Sequence, residues 1–93
     1  MVKGTTKSGF AYEIDSQKFH SMKAVRLMAE VGKNEPGYAV LDLAEVILGA
    51  EQMDAFVDHC DANATEEKYA DALFGEGVAE MVEEAGKEPE TKN

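Results

Sequence analysis

Between Tyr38 and Leu48 only Asp42 and Glu45 interrupt a run of apolar and small residues. A helix that is apolar on nearly every side must lie at the centre of a core or be covered by a partner. The β-branched pair Val46 and Ile47 leaves a strand open, but eleven residues is long for a strand and ordinary for a helix. The chain has 93 residues, enough for one domain with a thin core. Such a core has little material with which to cover a helix of this kind on all sides.

The flanking segments supply the remaining elements. Residues 1–9 are small, polar and Gly-bearing, and read as a flexible arm. Phe10, Tyr12 and Ile14 alternate with Ala11 and Glu13, the period of a short strand. Asp15 or Ser16 can cap the next element. Phe19, Met22, Val25, Met28 and Ala29 then form an apolar stripe that predicts one amphipathic helix from about Gln17 to Val31, ended by Gly32. Asn34, Glu35, Pro36 and Gly37 read as a turn leading into the Tyr38–Leu48 helix. Gly49 punctuates, and Met53, Phe56, Val57 and Cys60 mark a further helix with Glu51, Asp54 and Asp58 on its wet face. Residues 61–64 read as a linker, with Asn63 and Glu66 in capping-box spacing. Tyr69, Leu73 and Phe74 begin another helix, and Val78, Met81, Val82 and Ala85 resume its stripe beyond Gly75 and Gly77. The two glycines predict a separate short helix or a bend there.

The expected fold is therefore mainly α: a small bundle of four to five short helices preceded by one short N-terminal β-strand or extended arm. Residues 10–86 form its single helical domain, and residues 87–93 read as a disordered tail.

Charge narrows the function. Nine basic and 19 acidic residues give a net charge of −10. Residues 1–50 carry six of each sign; residues 51–93 carry three Lys and thirteen Asp/Glu. Binding a nucleic-acid backbone needs clustered Lys and Arg, so nucleic acid is not an expected partner. Imitation of nucleic acid is the alternative reading: an acidic mimic or regulator that inhibits a basic nucleic-acid-binding protein. Nothing approaches the length of an apolar membrane span, and the N-terminus lacks the apolar stretch of a signal peptide. A lone Cys60 fits a reducing compartment, and the expected setting is the cytoplasm.

Chemistry finds few footholds. His59 and Cys60 are neighbours, which on a helix point about 100° apart and do not face each other. His20 stands alone. Asp54 and Asp58, one helical turn apart, read as a solvated face rather than a cation site. A calcium loop beginning at Asp61 fails, because its sixth and twelfth positions hold Glu66 and Ala72 where Gly and Glu are required. A phosphate loop at Gly75 and Gly77 fails, because Glu80 replaces the third glycine. The sequence therefore nominates no catalytic residue, no metal and no cofactor, and the chain is not expected to be an enzyme. Met22, Met28, Met53 and Met81 on or beside the stripes add pliable apolar surface. Partner binding or self-association is the expected use of it.

Three segments resemble a known family. Thr6-Lys7-Ser8-Gly9-Phe10-Ala11-Tyr12-Glu13-Ile14-Asp15 is similar to the opening of tail assembly chaperones of long, non-contractile-tailed bacteriophages. Leu27-Met28-Ala29-Glu30-Val31 is similar to that family's first-helix ending, and Leu48-Gly49-Ala50-Glu51-Gln52-Met53 to its junction between helices. The likeness runs over about residues 5–85; after Cys60 the short alanine-rich linker departs from it. The resemblance implies a mainly helical, oligomerising chaperone of the infected host's cytoplasm that is absent from the mature virion. It implies binding and solubilising of the tape-measure protein, and help in recruiting tail-tube subunits. Many members also have a longer frameshifted form, and Ala85-Gly86-Lys87 can be encoded by a slippery stretch. On this reading Tyr38, Leu41, Val46 and Leu48 are buried or interface positions, and Phe10, Tyr12 and Ile14 serve strand addition between copies.

Overall fold

A computed structural model describes residues 1–31 and 37–87. Two short strands, β1 (Val2–Thr5) and β2 (Ala11–Ile14), pair as an antiparallel hairpin. Helices α1 (Ser16–His20), α2 (Met22–Val31), α3 (Gly37–Asn63) and α4 (Ala70–Lys87) follow. The mainly helical expectation is met, but the N-terminus is a two-stranded sheet.

Residues 1–9 are thus no arm. Val2 lies opposite Ile14, so two branched side chains share the buried face, while Lys3 and Glu13 pair on the outer face at 3.2 Å. Thr6 closes the turn. Its N–H donates to the Phe10 carbonyl (2.9 Å), its carbonyl accepts from Gly9 N–H (2.9 Å), and its hydroxyl accepts from Phe10 N–H (3.0 Å). A hairpin alone is marginal in water. This one is held by distant residues: Lys7 N–H donates to Glu80 Oε1 at 2.8 Å, and Ser8 Oγ meets His59 Nε2 at 3.0 Å.

The single helix expected over 17–31 is two. Asp15 caps α1, accepting from Gln17 N–H at 3.0 Å. Ser21 then takes an extended backbone, donates its hydroxyl to the Lys18 carbonyl and accepts from Ala24 N–H. One serine so ends α1 and caps α2. The break re-phases the stripe. Ala24 is fully buried and Leu27, Met28 and Val31 are half-buried, while Met22, Val25 and Ala29 face outward. The proposed stop at Gly32 and the turn at Asn34–Pro36 lie outside the described residues.

Gly49 divides α3 into limbs over 37–48 and 50–63, as its position predicted. Its φ of 80° and ψ of 168° fall in a region that is essentially open to glycine alone. The second limb runs on to Asn63, past the expected linker start at Asp61. Asn63 is no N-cap; its side chain donates back to the His59 carbonyl at 2.8 Å. A turn between Thr65 and Lys68 leads into α4.

α4 is one unbroken helix across Gly75 and Gly77. Gly77 is a packing site instead of a break. A Cβ there would come within 2.5 Å of the Phe56 ring, so only hydrogen lets α3 and α4 approach this closely. Phe56 stacks on Phe74 at 4.9 Å and meets Phe10 at 4.8 Å, which joins hairpin, α3 and α4 through one aromatic column. Lys87 closes α4, and the rest of the tail expected over 87–93 lies outside the described residues.

Candidate functional site

Both α2 and α4 pack on α3, but their backbones make few approaches to each other. An apolar trough of about 320 Å³ opens between them. Met28 and Val31 come from α2, Val40 and Leu43 from the first limb of α3, and Val78 and Val82 from α4. Leu43 and Val78 are buried and form its floor; the other four are half-buried along its sides. Gly75 and Ala79 keep the α4 side low, and Glu83 marks its edge. Among the described residues no polar side chain but Glu83 lines this space, so what it offers is shape and apolar contact.

Phe10, Tyr12 and Ile14 do not meet in a surface. Tyr12 and Ile14 are buried in the chain's own core, and half-buried Phe10 packs on Phe56. The outer edge of β2 is also closed. The side-chain amide of Gln52 accepts from Glu13 N–H (2.9 Å) and donates to the Glu13 carbonyl (2.8 Å), as a neighbouring strand would. The same Nε2 donates to the Leu48 carbonyl at 3.0 Å, tying the Gly49 bend to the hairpin. Within the chain, Gln52 thus takes the place on the β2 edge at Glu13 that a strand of another copy would take.

The other four nominated residues divide. Leu48 is buried in the core and Val46 is half-buried. Tyr38 is 83% exposed and Leu41 41% exposed, and neither lines the trough. The aliphatic excess of this segment does face a groove, but through Val40 and Leu43. The α4 wall, Val78 and Val82, had no signal in the sequence beyond its own helical stripe.

The sequence also missed the meeting of Ser8 with His59, 51 positions apart. Asn63 Nδ2 donates to the His59 carbonyl and lies 3.3 Å from His59 Nδ1. That makes Nδ1 an acceptor and leaves Nε2–H to donate to Ser8 Oγ. A general base for Ser8 would need the opposite tautomer. The chain of bonds from Asn63 through His59 and Ser8 to Thr6 instead pins the hairpin loop to α3. Next to it, burial, then the carboxylate of Asp61, raises the Cys60 thiol from its ordinary 9.0 to about 11. Burial, then Glu84 and Glu80, likewise raises the Tyr12 phenol.

Among the described residues no three His, Cys, Asp or Glu side chains gather to hold a metal ion, and no helix is long and apolar enough to cross a membrane. Comparison with protein-family models, with curated proteins and with solved structures finds no match.

Proposed function

We propose that this protein is a tail assembly chaperone of a long, non-contractile-tailed bacteriophage. It binds and solubilises the tape-measure protein and helps recruit tail-tube subunits to it in the host cytoplasm. The apolar trough between α2, α3 and α4 is the observation that carries this reading. Its three walls are helical, and its occupant would be the apolar face of a client helix, the helix-in-groove mode. An extended, helix-rich client with repeated apolar faces fits many such troughs in series. The thirteen acidic residues in 51–93 supply the charge that keeps a coated client soluble. The order and spacing of the three resembling segments add support. Their Gly49 and Gln52 have a joint task here, bending α3 and closing β2.

The test is co-expression with the tape-measure protein of the same phage, reading its soluble fraction. The native chain is expected to raise that fraction. Val82→Asp, at the half-buried side of the trough, is expected to remove the gain with the helical circular dichroism retained. A client that stays equally insoluble with the native chain overturns the proposal.

One observation favours the acidic-mimic alternative: Glu51, Asp54, Asp58 and Asp61 form an exposed row along the second limb of α3. That reading predicts salt-sensitive binding to a basic enzyme, unaffected by Val82→Asp.

A further inference from the structure

The carboxylates of α4 divide by the direction each takes around the helix. Glu80 accepts from Lys7 N–H at 2.8 Å, and Glu84, one turn on, raises the Tyr12 phenol, so both face the hairpin. Glu76 pairs with Lys68 at 3.1 Å. Glu83 stands about 100° round the helix from Glu84 and lies on the rim of the apolar trough. It is exposed, and among the described residues no basic group pairs with it. Lys87, one turn further on, extends to Glu84 instead, at 3.9 Å. No Lys or Arg among the described residues lines the trough. Lys23 and Arg26 of α2 line a second groove, of about 670 Å³, beside α2 and the first limb of α3, together with Glu30, Asp42 and Glu45. Among the described residues the trough is thus apolar along its length, with one uncompensated negative charge at its rim.

We infer that Glu83 selects the client by charge: the helix that enters the trough carries a Lys or Arg at one end of its apolar stripe. This rests on the client-helix reading above and deepens it. The α4 wall runs from Gly75 to Glu83, about 12 Å of helix. A helix laid along it presents about two turns, room for apolar anchors at i, i+3 or i+4, and i+7. Glu83 is the last residue of that wall, so the side chain beyond the final anchor comes over its carboxylate. An acidic residue there is repelled. A neutral one leaves the carboxylate to water. A basic one forms the ion pair that the described residues do not supply. The wider field acts in the same direction. Residues 51–93 hold thirteen acidic groups and three Lys, so a basic flank is drawn in and an acidic one turned away. Glu83 is exposed, so the pair adds specificity more than affinity.

The experiment is fluorescence anisotropy of three labelled helical peptides on the full chain, with far-ultraviolet circular dichroism as the fold control. The peptides share one leucine stripe and carry Lys, Gln or Glu at both ends of it, so either orientation brings a flank to Glu83. At low salt the native chain is expected to bind the Lys peptide about two- to fivefold more tightly than the Gln peptide, and the Glu peptide most weakly. The differences are expected to shrink as salt rises. Glu83→Gln is expected to remove most of the preference, and Glu83→Lys to reverse it. Glu51→Gln takes the same charge from the second limb of α3 and is expected to keep the preference. Equal binding of the three peptides by the native chain overturns the inference. So does a preference kept in full by Glu83→Gln, or one lost as far in Glu51→Gln. In each of these cases the peptides still bind and Val82→Asp still releases them, so the client-helix reading stands. Failure of all three peptides to bind overturns that reading and the inference together.

Discussion

The two ends of the molecule are built on different terms. At one end the hairpin, the second limb of α3 and the first half of α4 close around Phe10, Phe56 and Phe74, and the cavity left there, between the hairpin loop and α4, is the smaller one of about 150 Å³. Polar bonds seal the edges there: Gln52 on β2, His59 on the loop at Ser8, Glu80 on Lys7. At the other end α2 and the first limb of α3 have an open groove on each side, one apolar and one charged. Aromatic rings fill large volumes from few positions. The aliphatic residues of α2 and the first limb of α3, with α4 held at a distance, do not. The comparison teaches that close packing and open surface are divided along the chain: among the described residues the aromatic end is the more tightly filled, and the aliphatic end leaves the larger grooves.

The largest effect should come from the aromatic end. Phe56→Ala removes the centre of the column and is expected to cost about 3–5 kcal/mol of unfolding free energy in a denaturant titration. Val82→Asp, in a half-open wall, is expected to cost much less. Equal losses at the two positions would erase the division.

Two glycines on one helix sharpen it further. Gly77→Ala drives a methyl into the Phe56 ring, and overpacking of this kind costs about 1–3 kcal/mol. Gly75→Ala meets nothing within 4 Å and should stabilise α4 by up to about 1 kcal/mol through helix propensity. Opposite signs two positions apart are the expected result of thermal melts.

A smaller effect is pH-dependent. The folded-state value of the Cys60 thiol, about 11, lies above its ordinary 9.0, so the folded form holds the proton more tightly. The stability this contributes is complete below pH 9.0 and is lost as pH rises toward about 11. Cys60→Ala should flatten that alkaline decline. Tyr12, raised in the same direction, leaves a residual slope.

Much of the helical pattern was legible because it is local. The bend at Gly49, the stripe through Phe56 and Cys60 and the strand at Ala11–Ile14 each follow from spacing within a dozen residues. The errors share a cause. The hairpin that contains β1 is held at its loop by Glu80 and His59, neither of them near it in sequence. The break at Ser21 depends on one hydroxyl serving two helices, which periodicity does not register. Gly77 reads as a helix breaker until Phe56 is seen against it. The site shows the same limit. An excess of aliphatic residues in the Tyr38–Leu48 segment pointed to more apolar surface than the core covers, but which of them face the groove is set by where α4 lies, and that is a tertiary fact.

Hydrogen exchange of the protein with and without a soluble fragment of the tape-measure protein tests the account most directly. New protection is expected in α2 near Met28 and Val31, in the first limb of α3 near Val40 and Leu43, and in α4 near Val78 and Val82, with the hairpin and the second limb of α3 unchanged. Protection confined to the acidic row from Glu51 to Asp61, or no change anywhere on binding partner addition, would contradict it.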